Sequence, residues 1–120
     1  MNKFEQTWEN YVELWRLTDK NEMKNRAKNV IVNDCGYRDP LIQANGTEAL
    51  FNYIYEFQQQ FSGGYIETYA FMSHHGRSMA NWHMKSSNAT IISEGISFGE
   101  YNEAGELTCM TGFFETQGNG

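Results

Sequence analysis

Proline occurs once in this 120-residue chain, as Pro40, and cysteine twice. No apolar run reaches the roughly 20 residues needed to cross a bilayer, so no membrane partner is expected. Basic residues are also sparse: nine lysines and arginines stand against fifteen aspartates and glutamates, for a formal net charge of -6, and they gather nowhere. Phosphate binding relies on clustered positive charge, which argues against a nucleic-acid partner. The amino-terminal stretch MNKFEQTWENYVELW is amphipathic and lacks the apolar run of a signal peptide. The expectation is a cytoplasmic protein in which Cys35 and Cys109 stay reduced. His74, His75 and His83 fit no zinc spacing, no serine lies in a Gly-x-Ser-x-Gly turn, and neither a phosphate loop nor a dinucleotide fingerprint is present. Cofactor-independent chemistry without a metal is what these absences leave.

Aromatic residues are plentiful: three tryptophans, seven tyrosines and eight phenylalanines, joined by six methionines. Such a composition fits a large core or an apolar cavity in one domain spanning residues 1–120. Phe4, Trp8, Tyr11, Val12 and Trp15 recur at spacings of three and four, predicting a helix from about Lys3 to Leu17. Asp19 with Glu22 has the spacing of a capping box for a second helix, its inner face carrying Met23, Ala27, Val30 and Ile31. A short strand is expected at Tyr37 to Asp39. Asn45 with Glu48 could cap a third helix carrying Leu50, Phe51, Ile54, Phe57 and Phe61, ended by Ser62-Gly63-Gly64. From Tyr65 the sequence turns to aromatic and β-branched runs broken at Gly76, at Ser86 to Asn88 and at Asn102 to Gly105, which predicts four strands in an antiparallel meander. Helices followed by such strands give an α+β domain with the helices on one face of a curved sheet. A polar tail follows Glu115.

Pro40 drives the preceding Asp39 out of helical conformation into an extended one, which suits a fixed catalytic carboxylate and suits a turn equally. In an apolar cavity Asp39 would have a raised pKa and could act as a general base. Tyr11 lies on an apolar helix stripe, where core packing is its other reading. Adjacent His74 and His75 point to opposite faces of an extended strand, so at most one lines a cavity. Trp15, Phe57, Phe61, Trp82, Met110 and Phe114 are candidates for the wall of an apolar pocket. Gly112 shares a strand face with Met110 and Phe114, where its missing side chain leaves room for a ligand or marks a bend.

The order helix, helix, "YRDP", a helix beginning "NGTEAL", then "HHGRSMANWHM", "EGISFGEYNEAGEL" and "TGFF" resembles the nuclear transport factor 2 fold. Within it the chain looks most like SnoaL-type polyketide cyclases and ketosteroid isomerases, from about Phe4 to Glu115. The resemblance implies a cone-shaped antiparallel sheet, as in cystatin-like rolls, curled around three amino-terminal helices over an apolar interior. It also implies a hydrophobic small-molecule ligand and a homodimer. Asp39 falls where the isomerase carries its general base, in the same Asp-Pro setting. Tyr11 falls near the helix-one tyrosine that donates to the developing oxyanion, if four extra residues are allowed in the second helix. Ser97 stands where that isomerase has a protonated aspartate. Alignment turns Ala80, Trp82 and Met84 inward, and strand parity then favours His74 as the inward histidine if extension persists across Gly76.

The expected activity is binding of a hydrophobic molecule, with isomerisation or cyclisation through an enolate as the catalytic form: Asp39 as base, Tyr11 as donor, and His74 as an acid, base or ligand-orienting group. One alternative is a non-catalytic ligand-binding or dimeric interaction module. Another is an epoxide hydrolase, a chemistry also known on this fold, which uses two aspartates and an arginine.

Overall fold

The computed structural model describes residues 2–116; the polar tail, from residue 117 on, lies outside the described residues. Helix α1 spans Lys3–Glu13 and runs into a single 3-10 turn at Leu14–Arg16. Asn2 caps it, its side-chain oxygen accepting from the Glu5 amide at 2.8 Å. Trp8, Tyr11, Val12 and Trp15 are buried along the stripe that their spacing predicts, with Phe4 half-buried at its start and Leu14 buried beside it.

Helix α2 covers only Lys20–Ala27, capped by Asp19, which accepts from the Asn21 amide. It stops short of the expected Val30 and Ile31 because Asn29 adopts a left-handed φ of +64°. Both residues are buried all the same. Ile31 instead opens strand β1, Ile31–Arg38, which absorbs the polar Asn33-Asp34 segment and is far longer than the expected strand at Tyr37 to Asp39. Asn33 and Asp34 are exposed in it, and their polarity masks the strand in the sequence. After a turn at Pro40, β2 (Gln43–Asn45) pairs back antiparallel on β1.

Helix α3, Thr47–Gln60, follows with Gly46 rather than Asn45 at its cap, at a φ of +93°. Asn45 is held in β2 by its pairing with Gly36. Near the end of α3, buried Gln58 donates to the Trp15 carbonyl at 2.6 Å and the Gly64 carbonyl at 2.8 Å, and accepts from the Gly63 amide at 3.1 Å. One side chain thereby ties the 3-10 turn, α3 and the next strand together.

The strands β3 (Tyr65–His74), β4 (Arg77–Lys85), β5 (Ile91–Tyr101) and β6 (Leu107–Phe114) form the expected antiparallel meander. β1 joins β6 in parallel, so the six-stranded curved sheet, in order β2-β1-β6-β5-β4-β3, is mixed and unclosed. The helices cover its inner face, where Leu50, Ile54, Ala80, Leu107 and Met110 make up the core. No helix among the described residues is long and apolar enough to cross a membrane.

Candidate functional site

Inside the curve of the sheet lies a cavity of about 700 Å³. Its wall follows from element periodicity. Trp8, Tyr11 and Val12 come from α1, Trp15 from the 3-10 turn, Tyr53, Phe57 and Phe61 from one stripe of α3, and Trp82, Met84, Ser97, Gly112 and Phe114 from inward strand positions. Trp15 organises the aromatic part, with ring centroids 5.8 Å from Tyr53, 5.3 Å from Phe57 and 6.4 Å from Tyr37.

At one end of the cavity, strand β1 gives way to the Asp39-Pro40 turn. Asp39 Oδ1 accepts from the Leu41 and Ile42 amides at 2.8 and 3.2 Å, closing the turn. Oδ2 accepts from the hydroxyls of Tyr37 at 2.7 Å and Tyr53 at 2.8 Å. A carboxylate offers about four lone-pair positions, and Asp39 uses that whole capacity within the protein. No ion pair among the described residues includes Asp39. Burial and then the Asp39 charge raise the pKa of Tyr53, and burial, Tyr11 and Asp39 do the same to Tyr37. Burial likewise pushes Tyr11 up, partly offset by a hydrogen bond with Trp15. All three tyrosines therefore keep their protons at neutral pH.

On the sheet side, the indole N–H of Trp82 donates to Ser97 Oγ at 2.9 Å. Ser97 pairs with Gly112 across β5 and β6. A methyl on Gly112 would sit 3.3 Å from Ser97 Oγ and 3.6 Å from Asp39 Cβ, so this glycine keeps the space between serine and aspartate open. Gly95, the cross-strand partner of Trp82, has no Cβ to collide with the indole ring, so the ring can occupy that space.

Of the residues singled out in the sequence, Tyr11, Trp15, Phe57, Phe61, Trp82, Ser97 and Phe114 all line this one cavity. Asp39 stands behind its tyrosines at the edge. Met110 is buried in the core and does not line the cavity. His74 is exposed, with Nδ1 3.0 Å from His75 Nδ1. Extension does not persist across Gly76: His75 and Gly76 turn the chain at φ +48° and +72°, and His74 pairs with outward Arg77 while Ser78 takes the inward position. Tyr37, Tyr53, Glu56 and Gly95 were not anticipated. Tyr37 had a usable signal, since it lies two residues before Asp39 on the same strand face, and Tyr53 continues the Phe57–Phe61 stripe by four residues.

No protein-family model matches the chain, and no curated protein matches it. Among solved structures it is similar to a candidate isomerase of the SnoaL-like family from Agrobacterium tumefaciens, with a TM-score of 0.86 and 19% identity over 97% of this chain and 100% of that one. An NTF2-like protein of unknown function from Exiguobacterium sp. gives a TM-score of 0.72 at 11% identity, covering 92% of this chain and 99% of its own. An LEH-like epoxide hydrolase from M. tuberculosis gives 0.69 at 11% identity, with 94% of this chain and 83% of that chain covered. These likenesses establish the fold, the nuclear transport factor 2-like cone that the motifs imply.

Proposed function

We propose that this protein binds a hydrophobic small molecule in the cavity of its cone. The observation that carries the proposal is the cavity itself: about 700 Å³, walled largely by aromatic side chains, with the hydroxyls of Tyr37, Tyr53 and Ser97 among its polar groups. That pattern of apolar wall and sparse, placed polar atoms is the usual make-up of a small-molecule site.

A catalytic reading, with Asp39 abstracting a proton in an isomerase or cyclase, draws support from the shared fold with a candidate SnoaL-like isomerase. The geometry favours binding over that chemistry. Asp39 already accepts four hydrogen bonds from the protein itself, two on each oxygen, which leaves no lone pair free to take a proton from a ligand. Asp39 in our reading holds the tyrosines in place. An epoxide hydrolase needs an arginine beside its carboxylates, and among the described residues no arginine, lysine or histidine lines the cavity.

A homodimer through the outer face of the sheet completes the proposal. Met72, Ile96, Phe98 and Phe113 are exposed there, brought together by the pairings Met79 with Phe98 and Met72, and Ile96 with Phe113. Exposed apolar side chains clustered in this way mark association surfaces.

Thermal unfolding with steroids, aromatic polyketides, terpenes and epoxides, on wild type and Asp39→Asn in parallel, tests the reading. Binding to the native state raises the midpoint by mass action. Stabilisation of the wild type without product formation is the expected result. Turnover by wild type alone would make Asp39 a base, and no stabilisation by any compound would overturn the binding reading.

A further inference from the structure

The polar end of the cavity has a definite hydrogen-bonding sense. The hydroxyl protons of Tyr37 and Tyr53 both go to Asp39 Oδ2. Their oxygens accept no bond from any other described group, so the lone pairs they present are acceptors awaiting a donor. Behind them is a carboxylate with no cation paired to it.

The charge of the surroundings has the same sense. Among the described residues the cavity lining contains Glu56 and Glu115 and no basic side chain. Both glutamates are exposed, which places them at the mouth. Carboxylates at the mouth of a low-dielectric cleft draw cations in and repel anions. The wall also carries the indole rings of Trp8, Trp15 and Trp82, and an organic cation is attracted to such rings through their quadrupole.

We infer that the ligand of this cavity is a hydrophobic amine bound as its ammonium cation, the N–H groups donating to the Tyr37 and Tyr53 oxygens over the Asp39 charge. The inference rests on the cavity reading above and adds the head group to it. Ser97 supplies an element of the opposite sense. Its oxygen accepts from Trp82, leaving its own hydroxyl proton to donate. An ether or carbonyl oxygen a few atoms from the nitrogen would be met there, in the space that Gly112 leaves open. Carboxylates are disfavoured, since their charge would face Asp39 and the two glutamates with no basic side chain in the described lining to compensate it.

The test is a matched series on one skeleton: 1-naphthylmethylamine, 1-naphthylmethanol and 1-naphthoate, titrated calorimetrically into the wild-type protein at neutral pH, with naphthalene itself as the headless control by thermal shift. The amine should bind at least about tenfold tighter than the alcohol, the scale of one charge-assisted hydrogen bond, and the carboxylate weakest of all. Tyr53→Phe and the double substitution Glu56→Gln with Glu115→Gln should each shrink the ratio of amine to alcohol affinity, read against naphthalene measured on the same variant. The glutamate pair is exposed, so that variant keeps the test readable if Tyr53→Phe fails to fold. Equal binding of amine and alcohol, or preferred binding of the carboxylate, overturns the cationic ligand and leaves the cavity reading intact. Failure of every probe, naphthalene included, overturns both.

Discussion

Gly112 offers a perturbation in which stability and binding should part company. Its φ is not positive, so any side chain can adopt its backbone conformation. Glycine in a strand interior forfeits about 0.5–1 kcal/mol of conformational entropy relative to alanine, and Gly112→Ala should recover that amount. Against this stands one tight contact, 3.3 Å from the new methyl to Ser97 Oγ, with Asp39 Cβ at an ordinary 3.6 Å. A small displacement of the serine relieves the contact, and net stability should stay within about 0.5 kcal/mol of wild type. Gly112→Leu goes further and puts its branched end where the ligand would lie. Displacing roughly 60 Å² of ligand contact at about 25 cal/mol per Å² loses about 1.5 kcal/mol, or a little over tenfold in affinity. Urea unfolding reports the first quantity, and calorimetric titration of whichever compound stabilises the wild type reports the second. Unchanged affinity in Gly112→Leu, with the fold intact by circular dichroism, would show that the ligand does not occupy the space between Ser97 and Asp39.

Three other outcomes follow from the same structure. Gln58→Ala strands the Trp15 and Gly64 carbonyls and the Gly63 amide, so it should lower stability by about 3 kcal/mol, or the melting midpoint by roughly 15 °C, and a drop under about 3 °C would refute the triple anchor. Burial pushes the Cys35 thiol up to about 12, and Tyr101 likewise to about 12. Tyr11, Tyr37 and Tyr53 shift in the same direction, so the unfolded chain releases these protons at lower pH than the native state. Stability should then hold up to about pH 9 and decline beyond it by about 1.4 kcal/mol per pH unit for each group past its unfolded pKa; an unfolding midpoint that is flat to pH 11 would contradict this. Phe113→Asp places a charge in the outer apolar patch and should convert the proposed dimer into a monomer by sedimentation velocity; a wild type that itself sediments as a monomer would refute the dimer.

The helices, the meander and most of the cavity wall were legible in the sequence because each is written in local periodicity. The three-and-four spacing of Trp8, Tyr11, Val12 and Trp15 announces α1, and the same rule on α3 puts Phe57 and Phe61 on the cavity side. Alternation along β6 separates Gly112 and Phe114 from outward Phe113, although it also assigned Met110 to the wall when neighbouring elements bury it in the core. Where alternation depends on a turn it misleads. His74 changes face because two residues at positive φ reverse the chain before the inward register can continue.

By itself, then, the sequence determined the class of domain, the order of its helices and of its last four strands, its acidic balance and a supply of aromatic side chains large enough to wall a cavity. These are properties of composition and of neighbours within four residues along the chain. Tertiary structure alone decided the state of Asp39. Pro40 sets its backbone, but whether the carboxylate is a free base or a satisfied anchor depends on Tyr53, fourteen positions later on another element, reaching within 2.8 Å of it. It also decided how Ser97 is oriented, through an indole on the adjacent strand. Hydrogen bonds of this kind act over about 3 Å in space with no regard for sequence separation, so they exist only once the sheet has curved over the helices.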